Sequence, residues 1–268
     1  MKLTNDVILI TGGTSGIGRE LALQLSARGN TVIVTGRDRE KLDRIKRELP
    51  HVVVLQSDVA NAQSIVALYA RVKSEFPALT VLINNAGIMR KINLHDRAID
   101  LEDISREIDT NLTALVRMTM QFLPLLQAQP RAAIVNVSSG LAFTPFPLSP
   151  IYGATKAGVH SFTQSLRVQL KNTPVSVFEL APPSTQTPLQ NAFDAADVKG
   201  APMMDVGKLV RRAVKGLERD QPEILPGMSR VLRFMGRVGP NLMVKALSGP
   251  VDSMLAQTKL LPAGPQKR

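Results

Sequence analysis

Short, continuously apolar runs alternate along this chain with longer stretches of helical period. Val7–Thr11 and Thr31–Thr35 read as strands buried on both faces, the pattern of a parallel sheet. Val52–Gln56, Val81–Asn84, Ala133–Ser138 and Val175–Leu180 repeat it, and Glu223–Leu225 makes a short last strand. Between them, Arg19–Arg28, Arg39–Glu48, Asn61–Glu75, Glu102–Gln127, Tyr152–Leu170 and Asp205–Glu218 carry the helical pattern. Strands alternating with helices at this interval predict right-handed crossovers and an α/β parallel sheet. Ligands of such sheets bind beyond the carboxyl ends of the strands. Here those ends are small or polar: Ser57-Asp58-Val59, Asn84-Asn85-Ala86-Gly87 and Ser138-Ser139. That common edge is the predicted site, and Asn84, Asn85 and Gly87 are also expected to form the turn itself.

The first strand runs into Gly12-Gly13-Thr14-Ser15-Gly16-Ile17-Gly18 and then a helix. Strand, glycine turn and helix together make a phosphate site, because free N–H groups and the helix dipole face the ligand. The spacing is T-G-x-x-x-G-x-G rather than G-x-G-x-x-G, with Thr14 and Ile17 where the latter needs glycine. A glycine turn without function is the plain alternative. The second strand ends in Gly36-Arg37-Asp38. An acid there suits the ribose 2′-OH of NAD, whereas an arginine suits the 2′-phosphate of NADP. Gly36 stands where the acid is expected, and Arg37 follows, so NADP(H) is favoured. Asp38, about twenty residues past the glycines, keeps NAD(H) open.

Tyr152 and Lys156 lie one helical turn apart on the same face. A phenol ordinarily titrates near pH 10, and a neighbouring ammonium lowers that value. With the Ser139 hydroxyl at the mouth of a strand, the trio predicts a proton-transfer site. The insert between Ser139 and Tyr152, rich in proline and phenylalanine, reads as a stiff apolar substrate wall. Asn111, inside the long helical stretch Glu102–Gln127, needs partners if buried, and Pro124 is expected to kink or end that helix. After Val175–Leu180, A-P-P-S-T-Q-T-P-L gives a rigid exit to Thr187, and Asn191–Gly200 reads as a lid.

Composition narrows the function classes. At 268 residues the chain is long for one ordinary domain but usual for one α/β unit. It has no apolar run long enough to span a membrane and begins almost directly on a strand, so a cytoplasmic protein is expected. No cysteine is present, which excludes disulfides, thiolate metal sites and a cysteine nucleophile. His51, His95 and His160 lack metal-ligand spacing and are expected on surfaces or loops, so no metal is predicted. The net charge of +11 is concentrated late: residues 207–268 hold 12 Lys and Arg against 4 Asp and Glu. With two tyrosines, no tryptophan and no recognition-helix motif, nucleic acid is not an expected partner.

Val231, Phe234, Met235 and Val238 form an apolar stripe, with Arg230, Arg233 and Arg237 on another side. Gly239-Pro240 ends that helix, and a second apolar patch of Leu242, Met243, Val244 and Leu247 precedes Gly249-Pro250. Such a stripe is expected to pack on its own domain, cover the cleft or pair with a second subunit; contact with an anionic membrane surface is the lesser option. As a cover it predicts a lipophilic or amphiphilic carbonyl substrate. The division expected is 1–228 as a nucleotide-binding catalytic domain, with a substrate loop near 188–205, and 229–268 as a basic extension.

From residue 5 to about 230 the chain resembles a short-chain dehydrogenase/reductase of the compact single-domain kind. The resemblance rests on T-G-G-T-S-G-I-G at 11–18, Asp58-Val59, N-N-A-G at 84–87, Asn111, V-N-V-S-S at 135–139 and Y-G-A-T-K at 152–156, with Tyr152 thirteen residues after Ser139. It implies a Rossmann-like doubly wound sheet of about seven parallel strands, hydride transfer with NADP(H) or NAD(H), and a homodimer or homotetramer. It further implies that Ser139 orients a carbonyl or alcohol oxygen and that Tyr152 is the acid/base. Lys156 would hold the nicotinamide ribose and lower the tyrosine pKa, and Asn111 would hold a water that relays protons. Thr11, Gly12, Thr14, Ser15, Gly16, Ile17 and Gly18 would surround the pyrophosphate and adenosine. Arg37 would meet the 2′-phosphate, Asp58 and Val59 the adenine, Asn85, Ala86 and Gly87 the ribose region, and Thr187 the carboxamide. Pro182-Pro183 departs from the family's usual Pro-Gly and removes a backbone N–H. That variant and the C-terminal end resemble a subgroup of oxidoreductases encoded with teichoic-acid D-alanylation genes. The rival class is a nucleotide-bound sensor or scaffold without turnover; an intact Ser139, Tyr152 and Lys156 set favours chemistry.

Overall fold

The structure, a computed structural model, describes residues 2–96, 99–194, 197 and 202–259. Seven parallel strands form one sheet: β1 (Val7–Thr11), β2 (Thr31–Gly36), β3 (Val53–Gln56), β4 (Leu79–Asn84), β5 (Ala132–Val137), β6 (Val175–Leu180) and β7 (Glu223–Ile224). Their spatial order is β3-β2-β1-β4-β5-β6-β7. The winding reverses between β1 and β4, which opens a crevice at their carboxyl ends.

Alternation within each strand builds a core on each face. Ile8, Ile10, Val32 and Val34 pack with α1 (Gly16–Ser26), α2 (Arg39–Glu48) and α7 (Val206–Glu218). Leu9, Ile33, Leu82 and Ile134 pack on the other face with α3 (Ala62–Glu75), α5 (Ala114–Gln127) and α6 (Pro150–Gln169). The doubly wound Rossmann-like sheet is therefore the architecture found.

The stretch expected as one helix from Glu102 to Gln127 is broken. It forms α4 (Leu101–Ile108), a π turn over Asp109–Thr113, and then α5. The break lies at buried Asn111, whose side chain bonds the backbone of Ile88, and not at Pro124, which α5 accommodates in its last turn. Helix α1 starts at Gly16, so the end of the glycine turn is already helical.

After β7, α8 (Ser229–Val238) stops where the Gly239 N–H bonds the Met235 carbonyl at 2.8 Å. Helix α9 (Pro240–Lys259) continues through Pro250. Helix α8 packs on the turn Gly140–Ala142: a Cβ on Gly140 would lie 3.0 Å from both the Leu232 side chain and the Ser229 hydroxyl. Gly236 faces the Phe143 carbonyl, leaving no room for a side chain. Among the described residues no helix is long and apolar enough to cross a membrane.

Candidate active site

Two turns interlock at the crevice. Gly12 has a φ of 64°, and a Cβ on it would sit 2.7 Å from the Ala86 Cα. The Thr11 hydroxyl oxygen accepts from the N–H groups of Asn85 (3.0 Å) and Ala86 (3.1 Å). In return the Asn85 amide donates to the carbonyls of Thr11 (2.9 Å) and Gly12 (3.1 Å). Gly18 lies against that same carbonyl and amide. Ser15 makes no side-chain cap, so the first N–H groups of α1 keep their capacity for a ligand. Gly12, Thr14, Ser15, Gly16 and Ile17 line the resulting cleft of about 920 Å³. This cradle, closed to side chains and uncapped at the helix, fits a pyrophosphate.

Arg37, Asp38, Asp58 and Val59 line one end of the cleft. A side chain at Gly36 would meet Thr14 at 2.8 Å, which explains why no acid occupies that position. The Asp38 carboxylate caps α2, accepting from the Lys41 N–H at 3.1 Å. That bond, with the Lys41 ammonium at 3.4 Å, holds the carboxyl below its ordinary range. Arg37 is exposed on the cleft, and among the described residues its guanidinium makes no ion pair. Lys41 also lines this end and was not expected there; its only signal in the sequence is its place three residues after Asp38. Two cations beside a committed carboxylate fit a phosphate monoester better than a ribose diol.

Ser139, Tyr152 and Lys156 meet beyond the carboxyl end of β5, all buried and all lining the cleft. Lys156 Nζ donates to the Val137 carbonyl at 2.9 Å. Burial pushes the Tyr152 phenol up to about 12, against a hydrogen bond from Ser139 that acts to lower it. Burial likewise brings Lys156 down to about 8, while the Glu179 carboxylate acts to raise it. The expected sign for Tyr152 is thus reversed: desolvation of the phenol dominates, and the Glu107 carboxylate adds to it.

Asn111, Thr11 and Gly18 lie behind the lining rather than in it. The Asn111 side-chain oxygen accepts from the Ile88 N–H at 2.8 Å, and its amide donates to the Ile88 carbonyl (2.8 Å) and the Thr155 hydroxyl (3.2 Å). It joins the turn after β4 to α6, so its polar side chain is already partnered. Asn85, Ala86, Gly87 and Thr187 line the cleft, with Thr187 across from Gly16. His160, expected on a surface or loop, instead lies half-buried on α6 and bonds Glu179 at 2.7 Å. The carboxylate brought from β6 by the fold supplied a partner that spacing along the chain does not display.

The rest of the cleft is apolar. Leu141, Phe146, Phe193, Met228, Leu232, Leu247 and Pro250 line it together with Pro182 and Pro183. Leu232 of α8 and Leu247 and Pro250 of α9 therefore wall the cleft, whereas the expected stripe does not: Val231, Phe234 and Val238 are exposed, and neither they nor Met235 line it. Pro188–Ala192 forms a short 3-10 turn, and Asp197 pairs with Lys91 at 2.8 Å. Within the expected lid Asn191–Gly200, residues 195, 196 and 198–200 lie outside the described residues, as do 260–268 of the C-terminal extension.

The buried lysine carries a stability cost. A fall from the ordinary 10.5 to about 8 corresponds to ~3 kcal/mol against the charged folded form. Below pH 8 both folded and unfolded chains bind the proton and the full penalty applies; between about 8 and 10.5 the unfolded chain binds more, so stability rises with pH. Lys156→Met should therefore unfold at higher temperature than the native sequence at pH 7. The difference should shrink between pH 8 and 10.5 in thermal scans, and a lower melting temperature at pH 7 would contradict the sign.

A family model described as short chain dehydrogenase matches residues 6–197. The oxidoreductase DltE of Bacillus subtilis (strain 168), itself uncharacterized, is 42% identical over 226 residues, covering 84% of this chain and 89% of that protein. Two solved structures share the fold. A short chain dehydrogenase from Burkholderia cenocepacia J2315 in complex with NADP has a TM-score of 0.79 at 25% identity, over 92% of this chain and 99% of that one. A short-chain dehydrogenase from Sphingobium yanoikuyae in complex with NADPH has a TM-score of 0.75 at 28% identity, over 98% and 100%.

Proposed function

We propose that this chain, which belongs to the short-chain dehydrogenase family, is an oxidoreductase acting on a carbonyl or secondary alcohol, with NADP(H) as the source or acceptor of the hydride. The observation that carries this reading is the convergence of Ser139, Tyr152 and Lys156 in the same cleft as the glycine cradle. Gly12, Ser15, Gly16 and Ile17 would hold the pyrophosphate, Arg37 and Lys41 the 2′-phosphate, and Lys156 the nicotinamide ribose. Asp58, Val59, Asn85, Ala86, Gly87 and Thr187 would complete that site.

Tyr152 gives its proton to the substrate oxygen in reduction and takes one back in oxidation. Ser139 donates to the same oxygen and fixes its direction. With its phenol pushed up to about 12 by burial, Tyr152 carries its proton at neutral pH. Asn111 acts through position: it fixes the turn after β4 against α6 and thereby the geometry of Lys156.

The apolar wall supports a lipophilic substrate, since a small ionic one would leave those surfaces to water. The supply of NADP(H) suits the cytoplasm. For assembly we propose a homodimer or homotetramer through the exposed Leu101 and Met120 of α4 and α5, which light scattering can check.

The test is a panel of carbonyls of increasing chain length with NADPH, followed at 340 nm. Consumption that rises with chain length supports the reading; none across the panel rejects it. Arg37→Ala should weaken NADPH binding about 10- to 100-fold, the range of one charge-assisted contact, and leave NADH binding nearly unchanged. Equal binding of NADPH by both proteins removes Arg37 from the site.

A further inference from the structure

A second cluster of charges lies behind the proton-handling end of the cleft. Glu179 of β6 is fully buried, and its carboxylate accepts from the Ser138 hydroxyl and bonds Nδ1 of His160 at 2.7 Å. Lys156 and His160 are four apart on α6, so both face the same edge of the sheet. There Lys156 Nζ meets the Val137 carbonyl, the residue before Ser138 and the register partner of Leu180. A buried ammonium and a buried carboxylate thus share one layer between α6 and the end of β5 and β6. Each lowers the cost of burying the other.

We propose that Glu179 is a positioning residue for the reaction: its carboxylate, fixed by Ser138 and His160, keeps Lys156 an ammonium and holds it against the Val137 carbonyl. This rests on the reading of Lys156 given above. Burial alone drives the lysine toward its neutral form, and the Glu179 charge opposes that. The other charged groups facing the cluster are Glu223 of β7 and Arg233 of α8, which pair with each other. The Phe143 ring meets His160 edge-on at 4.9 Å and lies 5.8 Å from the Arg233 guanidinium, closing the layer from the side of α8. His160, Glu179 and Glu223 bring ligand-type atoms within 4.8 Å of one another, but Ser138, His160 and Arg233 already satisfy the two carboxylates.

The experiment is a 13Cε-lysine NMR titration of the full chain, with the Lys156 resonance assigned by its loss in Lys156→Met. Glu179→Gln keeps the shape and removes the charge. It should lower the Lys156 midpoint by about one pH unit. Ser138→Ala keeps the charge and loses one bond, and should shift the midpoint far less. An unmoved midpoint in Glu179→Gln overturns the proposal. Equal shifts in the two variants also overturn it, because loosened packing would then explain both. If Glu179→Gln does not fold, 13C-carboxyl titration of the native chain decides: Glu179 must be ionised at pH 7, and a protonated Glu179 there is fatal. NADPH binding provides the separate check on the reading beneath. Lys156→Met binding NADPH as well as the native chain would reject Lys156 as a ribose contact, whereas the NMR shift would still report whether Glu179 governs its charge.

Discussion

Tyr152→Phe should reduce carbonyl turnover about a thousandfold while leaving NADPH affinity within about twofold, the signature of a lost proton donor. The change removes one oxygen from a buried side chain and keeps the ring. Ser139, whose hydroxyl oxygen accepts from the Leu141 N–H at 3.1 Å, would stay in place. Residual turnover then measures what orientation by Ser139 alone achieves. Single-turnover kinetics in Tyr152→Phe and in the native chain separate the proton step from release. Equal rates in both would remove Tyr152 from the chemistry.

Phe122→Ala should destabilise the fold by about 4 kcal/mol, which for a chain of this size lowers the melting temperature by about 8–16 °C. Phe122 is among the largest fully buried side chains, and its ring meets Tyr69 edge-on at 5.4 Å between α5 and α3. Truncation leaves a cavity on the face of the sheet that carries α5, the continuation of the π turn holding Asn111. A second effect is therefore expected: weaker NADPH binding, caused by a looser turn after β4 rather than by a lost contact. Calorimetry with and without NADPH checks both, and an unchanged melting temperature would refute the packing account.

The strands were legible because most positions of β1, β2, β4, β5 and β6 are buried on both faces, so apolar residues predominate even where Asn136, Ser176 or Glu179 interrupts them. The glycine turn and the Ser139, Tyr152 and Lys156 set were legible because their chemistry needs fixed residue types at fixed spacing. The π turn was hidden, since an extra residue in one helical turn leaves the hydrophobic period almost intact. The bond from the Ala114 N–H to the Asp109 carbonyl discloses it, beside the bonds from Asn111 to the Ile88 backbone. The sign of the Tyr152 shift was hidden for another reason. Spacing gives proximity to a charge, whereas desolvation depends on everything packed around the group. His160 was misplaced on a surface or loop because its partner Glu179 comes from a strand nineteen positions further along.

The two ends of the cleft draw on different parts of the chain. The residues proposed for cofactor and proton handling come mainly from positions 11 to 156, while much of the apolar wall comes from 182 to 250. Replacements at Leu232, Leu247 or Pro250 can reshape the space for a substrate without touching Lys156, Tyr152 or the glycine cradle. Heredity can therefore vary what such a chain acts on while conserving how it acts. Selection on substrate range would leave its record in α8 and α9, and purifying selection its record in β1, β4 and β5.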